Sequence, residues 1–232
     1  MIRVSLTHRT PFMNKISISP EIKEKCPNLT LGCFSCELTW AARSEALNEA
    51  IQNTCTKLAE TLTRPEISKI DTIASSRIAY KALGKDPSRY RLSAEALLRR
   101  VVTGKGLYQI NTIVDTLNLI SIDTGYSIGG YDLNKIEGNI VLGIGAKDEP
   151  YEGIGKGTLN IENLPVFRDD KGAFGTPTSD STRTMVTEKT NSFLMIFLNF
   201  GKHDSLEEVL VQTSDLYQKI THAQNCQTLI ID

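Results

Sequence analysis

The order in which helical and strand-like patterns follow one another constrains the fold of this chain more than any single motif. Helices are predicted from Ser44 to about Leu62, from Pro65 to Gly84, and from Ala94 to about Val102 after a capping Ser93. Residues 126–200 instead alternate short β-type runs with glycine and proline turns, and an amphipathic helix follows from Ser205 to about Ala223. This order predicts an α+β fold rather than alternating βαβ units. We expect helices in the N-terminal half, sandwich-like antiparallel or mixed sheets in the second half, and a C-terminal amphipathic helix.

Several shorter segments carry a strand signal. Residues 16–40 resemble a pair of strands around two prolines. The later candidates are Ile140–Ile144, Thr158–Ile161, Pro165–Arg168, Thr184–Thr187 and Ser192–Phe200. Between these groups lies Ile110–Ile122, a mostly apolar segment whose periodicity fits a helix or a strand equally well.

Composition narrows the class of protein. The 232 residues are 40 % hydrophobic and 23 % charged with a net charge of −1, which argues against disorder and against a globally basic nucleic-acid binder. We expect a single compact unit over residues 1–232. Residues 1–20 lack a long apolar segment, and the apolar run Phe193–Leu198 is too short to cross a bilayer. The sequence therefore predicts a cytoplasmic protein with no membrane contact.

Neither a metal site nor a cofactor site is expected. Cys33 and Cys36 form one Cys-x-x-Cys pair inside an apolar, strand-like stretch, and no second pair follows at zinc-site spacing. Buried thiols are therefore the better interpretation. Gly143 and Gly145 lack the third glycine of a dinucleotide fingerprint, and the three histidines are isolated from one another.

A local excess of positive charge lies between Arg64 and Lys105. This stretch contains ten cations and four acids. The residues that we select as candidate phosphate contacts are Arg77, Lys81, Lys85, Arg99 and Arg100. Cations at helical spacing can follow phosphates because binding releases condensed counterions. The alternative is a solvated helix face with no ligand.

A second candidate site is the loop within Gly172–Thr184. It offers hydroxyls, free backbone N–H groups, one carboxylate and one guanidinium, a set that suits a phosphate, a carboxylate or a ribose. The same residues could instead make consecutive turns that bond to their own backbone, and Asp180 could pair with Arg183 across the turn.

One series of short segments extends from the end of the third helix through residues 107–136. Its members are Leu97–Arg100, Ile110–Asn111, Ile113–Asp115, Asn118, Gly125 and Tyr131–Ile136. In order and spacing they resemble the editing module of the bacterial phenylalanyl-tRNA synthetase beta subunit. The glycine-rich segment and Gly175–Thr190 resemble the later strands of the module, which extends the likeness to about residues 75–200.

The resemblance implies a fold, a partner and a site. The fold would be an α+β unit with paired sheets, and the partner an aminoacylated tRNA, with a free amino acid as a second possibility and no DNA. The implied amino-acid pocket comprises Asn111, Asn118, Gly129, Gly130, Gly175, Thr176 and Arg183. Water and ester would be held by the candidate catalytic residues Thr178, Ser179, Asp180 and Ser181.

Two positions depart from the family pattern. The family has a histidine where this chain has Gly129, and a glutamate where this chain has Ile196 or a neighbour. A pocket that recognises a phenol needs a polar partner for it, so tyrosine is a poor substrate for this pocket and an apolar or smaller amino acid fits better.

Three functions follow as alternatives. The first is an aminoacyl-tRNA deacylase that acts in trans, as a free-standing editing module. The second is a catalytically inactive module that binds tRNA or an amino acid. The third is an unrelated enzyme that uses the hydroxyl-rich loop as an anion site.

Overall fold

Two four-stranded sheets face each other across an apolar layer in the computed structural model, which describes residues 16–232. The strands are β1 (Ile16–Ile18), β2 (Thr30–Glu37), β3 (Ile128–Asp132), β4 (Ile140–Ile144), β5 (Glu152–Gly153), β6 (Gly157–Thr158), β7 (Pro165–Asp169), β8 (Gly172–Gly175), β9 (Ser192–Asn199) and β10 (Gln224–Ile231). The helices are α1 (Pro20–Lys25), α2 (Glu45–Thr61), α3 (Arg64–Ile67), α4 (Asp71–Ala82), α5 (Ser93–Val102), α6 (Thr112–Thr124) and α7 (Leu206–Thr221). The predicted α+β class and its mixed, sandwich-like sheets are confirmed.

The sheets have different topologies. The first has the order β1-β4-β7-β8, with β1 parallel to β4 and the other pairs antiparallel. The second has the order β10-β2-β9-β3 and is antiparallel throughout. The predicted pairing of strands within residues 16–40 is therefore wrong, because β1 and β2 lie in different sheets with α1 between them.

Strand β9 lies at the centre of the molecule and is buried on both faces. Leu194, Ile196 and Leu198 point into the layer between the sheets. Phe193 and Phe197 point the other way, into a second core that α6 and α7 cover. A short, continuous apolar run is the pattern expected for a strand with no solvent face.

The helices α2 to α5 form a third core with α6 and the outer side of the first sheet. Leu47, Tyr80, Leu98 and Leu119 belong to it, together with Val166 of β7. The ambiguous segment before residue 124 is a helix because Asn111 caps it and Gly125 ends it in the left-handed conformation, at φ 74°.

Other local predictions differ from the structure at identifiable points. The helix predicted from Pro65 to Gly84 is two helices, since the backbone turns between Ile67 and Asp71. The strand predicted at Thr184–Thr187 is wrong, because Thr182–Thr184 forms a 3-10 turn that the Ser181 side chain caps. After α7 the chain adds β10 to the edge of β2, a strand that the sequence analysis missed.

Cys33 and Cys36 lie in β2 as buried free thiols, as the sequence predicts. Within residues 16–232, no helix is both long enough and apolar enough to cross a bilayer.

Replacing Asn111 by Ala should destabilise α6. Its Oδ1 accepts hydrogen bonds from the backbone N–H groups of Ile113 and Val114, at 3.1 and 3.0 Å. Loss of such a cap costs about 1 kcal/mol of unfolding free energy, which urea denaturation measures. Asn111→Ser keeps a capping oxygen and is the matched control. Equal stability of the Ala variant and the wild type would contradict this assignment.

Candidate functional site

The hydroxyl-rich residues Thr176 to Ser181 form a closed turn, here called the 176–181 loop. The Thr176 hydroxyl accepts hydrogen bonds from the backbone N–H groups of Thr178 and Ser179, at 3.2 and 3.1 Å, and donates to the Ser179 carbonyl at 3.0 Å. The Ser181 hydroxyl accepts from the N–H of Arg183 at 3.3 Å. The hydroxyls of Thr176, a predicted pocket residue, and of Ser181, a predicted catalytic residue, therefore shape this part of the chain itself.

Side chains and backbone from three other segments hold this loop in place. The Tyr80 hydroxyl of α4 lies 3.0 Å from the Thr178 hydroxyl, and the N–H of Ser93, at the start of α5, donates to the Pro177 carbonyl at 2.8 Å. The Tyr151 hydroxyl donates to the Ser179 carbonyl at 2.6 Å. The helices that carry the excess positive charge are thus in direct contact with the hydroxyl-rich loop.

Asp180 connects the loop to the outer edge of β3. The residue is half-buried, and its Oδ2 accepts a hydrogen bond from the N–H of Gly130 at 3.0 Å. Burial raises the pKa of the Asp180 carboxyl to about 7, against the opposing effect of the hydrogen bond from the N–H of Gly130. This carboxyl therefore changes its protonation state near neutral pH.

Tyr131, which the sequence analysis missed, fills the space beside Asp180. Its ring packs edge-on against Phe174, with centroids 4.9 Å apart, inside the layer between the sheets. Burial, and then the charge of Asp180, raise the pKa of Tyr131 well above its usual value, so the phenol stays neutral. Among the described residues, its hydroxyl has no partner in good hydrogen-bonding geometry.

Gly129 and Gly175 leave the room that the Tyr131 hydroxyl occupies. A Cβ added at either glycine would overlap this oxygen. Gly129 also lies directly opposite Ile196 in the β3–β9 register, so the two positions that depart from the synthetase pattern share one face of the sheet. An apolar side chain and a phenol replace the polar pair at this point.

Arg183 does not pair with Asp180. Its guanidinium binds the Asp169 carboxylate through two hydrogen bonds, of 2.8 and 3.1 Å, and donates to the Gly172 carbonyl at 3.1 Å. An arginine held in this fork geometry stiffens the end of the first sheet. It is therefore engaged within the protein instead of being free to meet a ligand.

The predicted pocket residues lie in two groups. Gly129, Gly130 and Gly175 lie around Tyr131 and Asp180, and Thr176 closes the 176–181 loop. Asn111 and Asn118 belong to α6, where Asn111 caps the helix and Asn118 is buried. Within residues 16–232, no hydrogen bond joins the Asn118 side chain to the 176–181 loop.

Three arginines surround one buried carboxylate on the basic helices, and we call this group the guanidinium cluster. Glu95 of α5 is 1 % exposed, and it contacts Arg77 at 2.8 Å, Arg99 at 3.1 Å and Arg91 at 3.9 Å. Each arginine keeps part of its surface in solvent, and three positive charges exceed the single negative one. A preorganised guanidinium group with excess charge is suited to phosphate. Neither Arg91 nor Glu95 was predicted as a site residue from the sequence.

Arg91 also brings the cluster close to the loop. The ammonium group of Lys156 donates to the Thr178 carbonyl at 3.0 Å. Burial, and then the positive charge of Arg91, lower the pKa of Lys156. Positive charge therefore extends from α5 to the edge of the loop.

The remaining predicted cations differ in accessibility. Lys81 is exposed on α4. Lys85 is buried, and it donates to the Glu162 carbonyl at 2.5 Å while lying over the Tyr90 ring at 3.8 Å. Its contacts are internal, so Lys81, and not Lys85, is available to a partner. The guanidinium of Arg100 stacks on the ring of Tyr108.

Two clefts lie elsewhere on the surface. One, of about 470 Å³, is at the end of the second sheet beside Glu37, Ser192 and Gln224, and the other, of about 160 Å³, lies between α6 and α7. Neither is lined by residues of the 176–181 loop. No group of three or more His, Cys, Asp or Glu residues is arranged to hold a metal ion in residues 16–232.

Comparison with known proteins identifies the family. The B3/4 domain matches residues 75–213, which is more than half of the chain. The chain belongs to the B3/4 domain family. It is thereby related to the phenylalanyl-tRNA synthetase beta subunit, as the resemblance over residues 75–200 predicts.

One solved structure to which the chain is similar is an N-terminal fragment of the phenylalanyl-tRNA synthetase beta subunit from Pyrococcus horikoshii. The identity is 14 %, the match covers 97 % of this chain and 52 % of that chain, and the TM-score is 0.46. The chain thus spans about half of the length of that fragment. No curated protein matches this chain.

Replacing Gly129 by Ala should destabilise the sandwich because the new Cβ would overlap the Tyr131 hydroxyl and lie 2.5 Å from its Cζ. Overpacking of this kind costs about 1–3 kcal/mol, which chemical denaturation measures. Tyr131→Phe removes a hydroxyl that has no good partner and should leave stability nearly unchanged. The Gly129→Ala/Tyr131→Phe double variant should regain part of the loss. Strict additivity of the two changes would show that they do not share this space.

Proposed function

We propose that this B3/4 domain chain is an aminoacyl-tRNA deacylase that acts in trans, with Asp180 as its general base. The observation that supports this most is the Asp180 carboxyl, which has a pKa of about 7 and accepts a hydrogen bond from the N–H of Gly130. It belongs to the loop that the basic helices contact through Thr178 and Pro177. A base works best when its pKa is close to the operating pH. Membership of a family related to a tRNA synthetase subunit makes an aminoacylated tRNA the natural partner.

Hydrolysis of an aminoacyl ester requires few catalytic groups from the protein. An aminoacyl ester is already activated, so a positioned water and a donor for the developing oxyanion are the main needs. In the proposed step the ionised Asp180 accepts a proton from water as the water oxygen attacks the ester carbonyl. The bond to the tRNA ribose then breaks, and the ribose oxygen takes up the proton. Ser179, whose hydroxyl makes only a long 3.4 Å bond to the Asp180 carbonyl, is the proposed oxyanion donor.

The guanidinium cluster and Lys81 are the proposed phosphate contacts. Arg77, Arg91 and Arg99 are oriented by Glu95 before any ligand arrives, which reduces the entropy lost on binding. The cluster is next to the 176–181 loop, so a phosphate bound there would bring the 3′ end of a tRNA towards Asp180. Salt should weaken this binding because counterion release drives it.

The amino acid that is removed is proposed to be apolar or small. Gly129 and Ile196 offer no polar side chain to a phenol, and Tyr131 already fills the adjoining space. A site without a partner for a hydroxyl gains little from binding one.

A catalytically inactive module that binds tRNA is the second candidate. It is favoured by the hydrogen bonds of the 176–181 loop, since Thr176, Thr178 and Ser181 are already paired within the protein. Under this alternative, the guanidinium cluster binds tRNA while no ester is cleaved.

The deciding experiment is the Asp180→Asn variant on a panel of mischarged tRNAs. We expect the wild type to accelerate ester loss on at least one of them, and the variant to lose at least tenfold of that rate, since general-base catalysis contributes about 10²–10⁴. Only ionised Asp180 can accept the proton. The buffer-corrected wild-type rate should therefore rise as pH increases through about 7 and level off above it.

The control for charge is Asp148→Asn, which changes an exposed carboxylate outside the site. The control for folding is the free energy of unfolding of the wild type and of Asp180→Asn, measured as a function of pH. The pKa of Asp180 is above its unfolded value, so wild-type stability falls as pH rises from about 4 to 7, and Asp180→Asn should lack this fall. Binding of every tRNA without ester loss would remove the deacylase and leave the binding module.

A further inference from the structure

The side chain of Tyr108 is largely exposed and contributes little to the buried core. Residues 16–232 contain all seven tyrosines, and Tyr108 is the one with more than half of its surface, 56 %, in solvent. The guanidinium of Arg100 lies over the ring, 3.8 Å from its centroid. This contact holds the ring in position while leaving much of it accessible.

We propose that Tyr108, supported by Arg100, is a stacking platform for a nucleobase at the single-stranded 3′ end of tRNA. The proposal rests on the proposed function, since it takes tRNA as the partner and adds a recognition element to it. Bases stack on exposed aromatic rings without regard to sequence, and cations beside the ring contribute both cation–π and phosphate attraction. Tyr108 has such a cation in Arg100, and Lys105 lies exposed in the same loop.

Helix α5 connects the platform to the 176–181 loop. Ser93, whose N–H binds the Pro177 carbonyl, is seven residues before Arg100. Residues seven apart lie on nearly the same face of a helix and about 10 Å apart along its axis. That distance corresponds to about three stacked nucleotides at roughly 3.4 Å each. The unpaired end of a tRNA, C-C-A, has this length.

Partly exposed cations lie along the α5 surface between these two points. Ala96 lies between Ser93 and Arg100 on the exposed face of α5, and its small side chain does not obstruct a bound strand. Arg99 of the guanidinium cluster flanks the same path and is partly exposed. A base on Tyr108 would therefore place the backbone along α5 and the terminal ribose towards Asp180.

The test is binding of a short, fluorescently labelled single-stranded RNA that ends in C-C-A, followed by anisotropy at fixed salt. Tyr108→Ala should weaken binding by about 5- to 150-fold, the range for loss of one base–aromatic stack. Tyr108→Phe keeps the ring and should bind as the wild type does. Ile78→Ala is the matched control, because it removes an apolar side chain that is 68 % exposed on the neighbouring helix α4. A blunt RNA duplex should be insensitive to Tyr108→Ala.

The outcomes separate this inference from the proposed function. Equal binding by the Tyr108→Ala variant and the wild type, or an equal loss on the blunt duplex, would overturn the platform even if esters are hydrolysed. Ring-dependent binding of the single strand by a protein that cleaves no ester would support the platform and leave the binding module as the function. Absence of any RNA binding by the wild type would overturn the platform.

Discussion

The burial of the Tyr131 phenol between the two sheets is the constraint on which the rest of the site depends. The ring fills the layer against Phe174, and the hydroxyl reaches a point at which neither Gly129 nor Gly175 can carry a side chain. Close approach of β3 to β8 follows, and it brings the 176–181 loop within reach of the β3 edge. Asp180 can therefore bond to the N–H of Gly130, and the same enclosure raises its pKa to about 7. The burial of Tyr131 therefore accounts both for the position of Asp180 and for its raised pKa.

Most polar groups of the 176–181 loop form hydrogen bonds that hold the loop in place, so few of them are available to a ligand. Hydroxyls that would serve as free donors are instead used to close the turn or to bind Tyr80, so the loop is rigid where it is satisfied. Asp180 and Ser179 remain as the groups with capacity for a ligand. The guanidinium cluster is positioned in a similar way. Glu95 orients the arginines, and its negative charge cancels one of their positive charges. The proposed ligand would therefore meet a preorganised surface more than a deep cavity.

Much of the fold was predictable, whereas much of the site was not. The cap at Ser44 and the apolar run of β9 are local signals that could be read directly. The cap at Asn111 was not recognised, so the segment that it begins remained ambiguous between helix and strand. The helix break after Ile67 and the turn at Thr182–Thr184 were missed because turn chemistry overrode a weak periodicity. The contact of Tyr131 with Asp180 joins residues far apart in the chain, and no spacing rule indicates it. Lys85 and Arg183 resembled ligand-binding cations, but tertiary packing placed them against internal carbonyls and Asp169.

The sequence by itself determined the class of fold, the approximate ends of α2, α5 and α7, the hydroxyl content of the loop and the local excess of cations. These properties depend on residues within a few positions of one another, for which propensity and capping are sufficient. Tertiary structure decided which cations face solvent, which carboxyl has its pKa raised towards 7 and which aromatic ring is left exposed. Those properties depend on the removal of water by distant segments, because desolvation and packing belong to the assembled core and not to any stretch of the chain.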